Sequence, residues 1–376
     1  MASGCSLPRF RVVGPDCRFS RNKVGCDVKR IGNNIVIYAV SLLVGVGLDR
    51  LSVPLAWMIG AMIAGAALKL GGYSMQLFPR TRLIGQMAIG ATVGLTFTHE
   101  ALAIVAELIG PMLLLTVSSL AAGLLSAIIL VRLAGIDAIS ACLASLAIGP
   151  VESANLARHY DVDPAPIVFS QCLRLILLVG ALPGLIVWLD GSIHDPSAGL
   201  RAGHSTLAGV GLLALVSVGG GLFFKAIRFP NPWFNGPCAA AVMAALLDLP
   251  ATPLPYPLLV VAQVFLGVWL GAVFERHFLT ASRRYALVAP VAVLVMIALC
   301  EIFALGVGLA IALPWQVALL AGAPGGVAEM ALTAKILEAG VATIIAFHLL
   351  RIFLSQMCVP ALVRITARRS GSGRGR

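Results

Sequence analysis

Two acid–arginine pairs stand out in a chain that carries little other charge within its apolar segments. Glu152 is followed 22 residues later by Arg174, and Glu329 is followed at the same spacing by Arg351. A carboxylate inside a membrane faces a partner or a pathway, because exposure to lipid is costly. A guanidinium suits planar anions through two parallel hydrogen bonds. Two interpretations stay open: each pair is a structural ion pair, or it binds a substrate carboxylate or couples to a proton or cation.

Helix-breaking residues precede both acids. The first stretch reads "AIGPVESANLAR" (147–158) and the second reads "GAPGGVAEMALTAK" (322–335). Pro and Gly free backbone N–H and C=O groups, and in hydrocarbon each unpaired group costs several kcal/mol. A half-helix that begins at such a break presents a positive dipole end, which suits an anionic group. We therefore predict two interrupted helices whose breaks face the protein interior or a wet cavity, although a packed kink is the alternative.

Other polar residues lie within apolar segments. Gln86 and Gln263 are each followed by Gly four and eight residues later, so each set shares one helix face. Such glycines favour close helix packing, and the glutamines are candidates for lining a cavity. Glu301 is a candidate protonatable carboxylate, and His348 is either a packing residue or a proton-linked group. The candidate substrate or ion-binding residues are Glu152, Arg174, Glu329, Arg351, Gly325, Gly326, Gln86, Gln263, His348 and Glu301.

The composition is that of a membrane protein. Of 376 residues, 59% are hydrophobic and 11% are charged, and the mean hydropathy is +0.97. Soluble domains have about 45–50% apolar and about 25% charged residues. Twelve apolar segments predict an all-α polytopic membrane protein with 10–12 transmembrane segments, some of them broken. They cover 34–48, 53–70, 82–98, 108–131, 138–157, 164–189, 206–226, 232–248, 257–275, 285–313, 315–335 and 340–364.

The net charge of +11 is concentrated at the ends of the chain. Residues 1–33 and the segment from Arg364 to Arg376 are both rich in Lys and Arg, which is typical of cytoplasmic tails that flank membrane spans. This distribution favours a lipid bilayer over nucleic acid as the partner. Residues 1–33 contain no apolar run of signal-peptide length. We expect a multi-pass protein with both termini in the cytoplasm.

The two halves of the chain are similar to each other at a shift of 177 residues. "GQMAIGATVGLTF" (85–97) aligns with "AQVFLGVWLGAVF" (262–274), and Arg174 aligns with Arg351. We predict a basic cytoplasmic tail (1–33), membrane repeat 1 (34–189), a linker (190–205), membrane repeat 2 (206–366) and a basic tail (367–376). Duplicated membrane repeats, often inverted, are typical of secondary transporters.

The distribution of Lys and Arg favours an inverted pair of repeats. With five crossings per repeat, only Arg50, Arg201 and Lys335 fall outside, apart from the two arginines within the membrane. With six crossings per repeat, several more basic residues move outside, which conflicts with the positive-inside rule. We place the non-crossing segment at the interrupted fifth one.

Several stretches resemble the AbrB family of bacterial inner-membrane proteins, which is defined by a tandem membrane duplication. They are "AWMIGAMIAGAAL", "RLIGQMAIGATVGLTF" and "APGGVAEMALTAKILEAGVATIIAFHLLRIFLSQMCVPAL". The resemblance covers about residues 34–366 and implies location in the inner membrane. Members carry two labels, a regulator of gene expression and an ammonia monooxygenase. The first copy departs from the pattern, with "GPVES" for "APGGVAEM" and Gln171 for His348.

The favoured function is a secondary transporter of a small solute, either an anion or another metabolite, coupled to protons or cations. The alternative is a membrane protein with an indirect role in regulation of gene expression. The six histidines are dispersed, which speaks against a copper monooxygenase. We expect no enzymatic activity, no catalytic residue, no cofactor and no metal site. The sequence leaves the substrate, the coupling ion and the formation of a homo-oligomer open.

Overall fold

The fold is that of a computed structural model, which describes residues 23–51, 53, 55–73, 75–190, 205–229, 231–272 and 283–371. Most of the predicted N-terminal tail, the predicted linker and the end of the C-terminal tail lie outside the described residues. The side chain of Glu152 also lies outside them, although its backbone is part of a helix.

The described residues form fifteen α-helices joined by turns and short connections, with no strand among them. A π-helical turn, Leu130–Ala134, continues the fifth helix. The α-helices are α1 (Lys23–Arg50), α2 (Ala56–Leu70), α3 (Pro79–Gly94), α4 (His99–Glu107), α5 (Ile109–Ile129), α6 (Ala138–Ser145), α7 (Pro150–His159), α8 (Pro164–Asp190), α9 (Leu207–Ala226), α10 (Pro232–Leu246), α11 (Tyr256–Gly271), α12 (Arg283–Ala310), α13 (Trp315–Gly322), α14 (Val327–Ile336) and α15 (Val341–Gly371).

Six helices in the described part of the chain are long and apolar enough to cross a bilayer. They confirm an all-α, polytopic membrane fold. The spans are Ile31–Arg50, Ile109–Ala134, Pro164–Asp190, Leu207–Ala226, Arg283–Ala310 and Val341–Val363. The remaining predicted segments form shorter helices, and the fifth segment of each half is divided into a helix of 8 and a helix of 10 residues.

Local sequence signals set several helix starts. The side chain of Asp137 accepts a hydrogen bond from the backbone N–H of Ser140 at 2.8 Å and caps α6. Thr206 caps α9 in the same way. These caps satisfy N–H groups that the first helical turn leaves unpaired. Pro79 and Pro232 begin α3 and α10, where proline's missing N–H costs nothing.

The helices pack as two bundles. The first bundle consists of α1, α2 and α3 together with α9, α10 and α11, and the second consists of α4 to α8 together with α12 to α15. Helices from the two halves of the chain pack against each other within each bundle, such as α2 with α11 and α5 with α12. Helix α3 also packs against α14 and α15, so the bundles share one hydrophobic core.

Close helix approach in the first bundle depends on the glycines that follow Gln86 and Gln263. A Cβ added to Gly90 on α3 would collide with the backbone oxygen of Phe234 on α10. A Cβ added to Gly267 on α11 would collide with the backbone oxygen of Met58 on α2. These contacts agree with the expected packing role, because only small residues let two helix backbones approach this closely.

Two adjacent glycines on α9 provide a test of this packing. A Cβ on Gly220 would lie 2.8 Å from the Cβ of Ala240 and still closer to the backbone oxygen of Gly236, whereas a Cβ on Gly219 would meet nothing within 4 Å. We expect Gly220→Ala to lower the free energy of unfolding by about 1–3 kcal/mol through overpacking. Gly219→Ala is the matched control and should leave stability unchanged. Thermal unfolding in detergent measures both, and equal stability of the two variants would contradict the packing.

Candidate functional site

Both predicted helix breaks are present, and both lie in the second bundle. Helix α6 ends at Ser145, residues 146–149 are not helical, and α7 begins at Pro150. Helix α13 ends at Gly322, residues 323–326 are not helical, and α14 begins at Val327. We call residues 146–149 the first break and residues 323–326 the second break. Each interruption leaves backbone carbonyls at the end of one half-helix without a partner in the helix.

Arg174 pairs the carbonyls of the first break. Its Nη1 donates to the backbone oxygen of Leu146 at 3.2 Å, and its Nη2 donates to that of Ile148 at 3.4 Å. The same Nη2 donates to Oε1 of Gln171 at 2.7 Å, while Nε2 of Gln171 donates to the backbone oxygens of Leu143 and Leu146. We call Arg174 and Gln171, with these carbonyls, the Arg174 clamp.

Arg351 pairs the carbonyls of the second break in the same manner. Its Nη1 donates to the backbone oxygen of Ala323, and its Nη2 donates to that of Gly325 at 2.8 Å. Nη2 also contacts Nδ1 of His348 at 2.7 Å, and Nε2 of His348 lies 2.8 Å from the backbone oxygen of Leu320. We call Arg351 and His348, with these carbonyls, the Arg351 clamp.

The Arg351 clamp determines the tautomer of His348. A guanidinium only donates, so Nδ1 of His348 must accept its hydrogen bond. Nε2 must then carry the proton that it donates to the backbone oxygen of Leu320. His348 is therefore neutral in this geometry. It is completely buried and accepts on one side and donates on the other, as the amide of Gln171 does in the Arg174 clamp.

The two clamps match at the spacing of 177 residues found in the sequence. Arg174 and Arg351 occupy matching positions, as do Gln171 and His348. The acceptor carbonyls match as well, with Leu146 corresponding to Ala323 and Ile148 to Gly325. Both arginines are only 3% exposed, and the positive charge of Arg351 acts on Arg174, which places the two side chains in the same buried region. The clamps therefore bring the two breaks together.

The expected pairing of Arg351 with Glu329 is wrong. Arg351 instead binds carbonyls of the second break, and the carboxylate whose charge acts on it is that of Glu301. The physical reason is that unpaired carbonyls at a buried helix end need strong donors, which a guanidinium provides at several atoms. Arg174 likewise binds backbone carbonyls, and the side chain of its expected partner, Glu152, lies outside the described residues.

Glu329 lies at the third position of α14, directly after the second break. Its carboxylate folds back over Gly326, where an added Cβ would collide with Oε2. A negative charge in the first turn of a helix interacts favourably with the helix dipole. The cation whose charge acts on Glu329 is Arg82, at the start of α3 in the first bundle. Arg82 was not among the predicted site residues, because the sequence suggested only a loop charge there.

Glu301 lies on α12 beside the Arg351 clamp. Both of its carboxylate oxygens are buried, and neither has a hydrogen-bond partner among the described residues. Gln86 and Gln263 are buried in the first bundle, on α3 and α11, and no hydrogen bond of the described residues joins them to either clamp. The structure therefore brings Arg174, Arg351, His348, Gly325, Glu301 and the Glu329–Gly326 pair to the breaks, and it places the two glutamines elsewhere.

Comparison with known proteins assigns this architecture to a family. A family model described as "Transition state regulatory protein AbrB" matches residues 57–367, a range that includes both breaks and both clamps. The chain belongs to the AbrB family.

Two relatives share the AbrB-family sequence over most of their length. One is "Putative regulator AbrB" of Escherichia coli (strain K12), which is 24% identical over 331 residues, covering 88% of this chain and 95% of the relative. The other is "Uncharacterized protein YhjN" of Bacillus subtilis (strain 168), which is 25% identical over 355 residues, covering 87% of this chain and 91% of the relative. Neither name states a substrate.

Substitution of His348 tests whether its hydrogen bonds stabilise the Arg351 clamp. We expect His348→Gln to keep near-normal stability, because an amide can accept from Arg351 and donate to Leu320 as Gln171 does in its own clamp. His348→Leu should lower the free energy of unfolding by about 1–3 kcal/mol, since it leaves a buried donor unpaired. Thermal unfolding of the purified variants measures the difference. Equal losses in both variants would show that the hydrogen bonds of His348 do not hold the clamp.

Proposed function

We propose that this AbrB-family chain is a secondary transporter of a small anionic solute, coupled to protons or cations. The observation that carries the proposal is the pair of buried arginine clamps at two neighbouring helix breaks. Interrupted membrane helices that meet near the centre of the bilayer are typical of transporter binding sites.

The two clamps cost free energy, because each of them buries a charged guanidinium. Burial of a charged group costs several kcal/mol even after relaxation, and here two guanidiniums are buried near each other. An uninterrupted helix would pair its own carbonyls and would need no clamp. Stability alone therefore gives no reason to keep Arg174 and Arg351 together with the breaks. A function at the breaks gives a reason for both arginines to be there.

Unused donors at the clamps favour an anion as the solute. Among the described residues, neither the Nε of Arg174 nor that of Arg351 has a hydrogen-bond partner, although both atoms are buried. Helices α7 and α14 both begin at the breaks, and their N-cap glycines provide no side-chain cap. Guanidinium N–H groups and helix N-termini are the donors that carboxylate and phosphate groups prefer.

The coupling ion has candidate carboxylates at the same place. Glu301 and Glu329 both lie next to residues of the second break or its clamp. An ionisable residue at membrane depth is the usual carrier of a proton or cation in transporters. We propose that the coupling ion binds at one of these two carboxylates.

We also propose that the two halves are inverted repeats in the bacterial inner membrane, with both termini in the cytoplasm. The matching hydrogen bonds of the two clamps support the duplication, since they follow one register. The charge distribution supports the inversion and the cytoplasmic termini. An indirect role in regulation, suggested by the name of the Escherichia coli relative, is the alternative. It predicts no solute flux through purified protein.

A screen identifies the solute and tests transport. Growth of a deletion strain on a panel of metabolites selects candidates, and a shift in the thermal unfolding of purified protein selects those that bind. Uptake of a binding solute into proteoliposomes then measures flux. Transport predicts uptake that an ion gradient drives and that empty vesicles lack. Absence of flux for every solute that binds would contradict the proposal.

Replacement of Glu329 tests its place in the coupling. We expect Glu329→Gln to reduce gradient-driven uptake to the level of empty vesicles while the protein stays folded, because the amide lacks the negative charge that Glu329 carries beside the second break. Glu338→Gln is the matched control, since Glu338 is an exposed acid just beyond the same helix and should leave uptake unchanged. Normal uptake by Glu329→Gln would remove Glu329 from the mechanism.

A further inference from the structure

Glu301 lies where α12 crosses both helix breaks. Its neighbour Cys300 packs in one buried cluster with Ala147 of the first break. One turn further along α12, Ala304 packs against Gly322, the last residue before the second break, where an added Cβ would also meet the backbone oxygen of Cys300 at 3.4 Å. Glu301 is therefore on the helix that connects the two breaks, at the level of both.

Few charges surround this carboxylate. Helices α5 and α13 pack against α12 and contain no ionisable residue. Helix α8 contributes Cys172, Arg174 and the terminal Asp190, and the π-helical turn contributes Arg132. From α15, which carries His348, it is Arg351 whose charge acts on Glu301. An ionised Glu301 balances the charge of Arg351, but nothing described donates a hydrogen bond to it.

The carboxylate has no counterpart in the first half of the chain. The residue 177 positions earlier is Leu124, a half-buried apolar residue of α5. Otherwise the two crossings resemble each other closely, because Gly123 of α5 packs against Ser145 as α12 packs against Gly322. At the Arg174 clamp, the crossing helix therefore offers an apolar residue that cannot offset the positive charge of Arg174. At the Arg351 clamp, the net charge depends on whether Glu301 is ionised.

We infer that Glu301 is the proton-binding residue of the transport cycle and makes the protein a proton–anion symporter. The carboxylate takes a proton from hydronium of the aqueous phase, so that one O–H bond forms on Glu301, one O–H bond of hydronium breaks, and water is left. It removes the negative charge beside Arg351 and leaves both clamps with net positive charge, which favours binding of an anion. Release of the proton restores the carboxylate and favours release of the anion, so that one proton moves with each anion. This inference rests on the proposed transport function.

The physical reason is the lack of hydrogen bonds at Glu301. An ionised carboxylate without donors is costly in a medium that excludes water, whereas the neutral acid is tolerated far better. Among the described residues, the charge that stabilises ionised Glu301 is that of Arg351. Anything that draws the guanidinium toward an anion weakens that stabilisation. Anion binding and proton binding therefore favour each other, and this reciprocity is required by linkage.

Infrared spectroscopy of the purified protein in lipid tests the inference with the proton as the only probe. On acidification we expect the carbonyl band of a carboxylic acid shielded from water, present in the wild type and lost in Glu301→Gln. Glu338→Gln is the control and should keep the band. If Glu301→Gln does not fold, Glu301→Asp should shift the band. No such band in the wild type, or a band that persists in folded Glu301→Gln, would overturn the inference.

The infrared measurement and the proteoliposome assay together separate this inference from the transport proposal. In one outcome the band is present and depends on Glu301, but the vesicles exchange none of the solutes that bind. The transport proposal and the symport inference are then both wrong, although Glu301 is established as a proton site. If the vesicles exchange solute but the wild type has no shielded carboxylic-acid band, transport stands and Glu301 is not its proton carrier. Symport further requires that an inward proton gradient drives uptake by the wild type and not by Glu301→Gln.

Discussion

The pairing of backbone carbonyls at the helix breaks is the constraint on which the second bundle depends. Carbonyls freed at membrane depth must find donors within the protein. Arg174 and Arg351 provide those donors from the helices that follow the breaks, and Gln171 and His348 hold the guanidiniums in place. Once two guanidiniums are buried in the same region, the surroundings must supply negative charge or an anion. Glu301, Glu329 and the proposed anionic substrate are the groups that can supply this negative charge.

The two bundles solve different packing problems. In the first bundle, uninterrupted helices approach backbone to backbone, because glycines such as Gly90 and Gly267 remove the side chains that would separate them. In the second bundle, half-helices and their clamps leave charged groups at the centre. The charge of Arg82, at the start of α3 in the first bundle, acts on Glu329 in the second. Contact between the bundles thus includes a charge that acts on the functional site.

The sequence alone was sufficient to predict the membrane spans and the helix breaks, but not the side-chain partners of the buried arginines. Hydropathy located the spans, and the Pro and Gly residues before Glu152 and Glu329 located both breaks. The acid–arginine spacing, however, led to the wrong partner for Arg351, because side-chain spacing along a chain contains no information about which backbone carbonyls need donors. A signal was present in Gln171 and His348, three residues before each arginine and so on the same helix face. Arg82 was missed because its role depends on how the two bundles meet.

Water access to the second break tests the central claim most directly. In a chain whose native cysteines are replaced, Ala328→Cys lies in the first turn of α14 at a position that is buried in this conformation, whereas Ile302→Cys lies on the exposed face of α12. A small, membrane-impermeant thiol reagent reacts with thiols that water reaches. The account predicts that Ala328→Cys becomes labelled from the aqueous phase when a bound solute and an ion gradient drive transport, because the cycle then opens the second break to water, and that Ile302→Cys, which faces lipid, stays unlabelled. If Ala328→Cys is as unreactive as Ile302→Cys in a folded protein under these conditions, the breaks enclose no pathway and the protein is not the transporter proposed here.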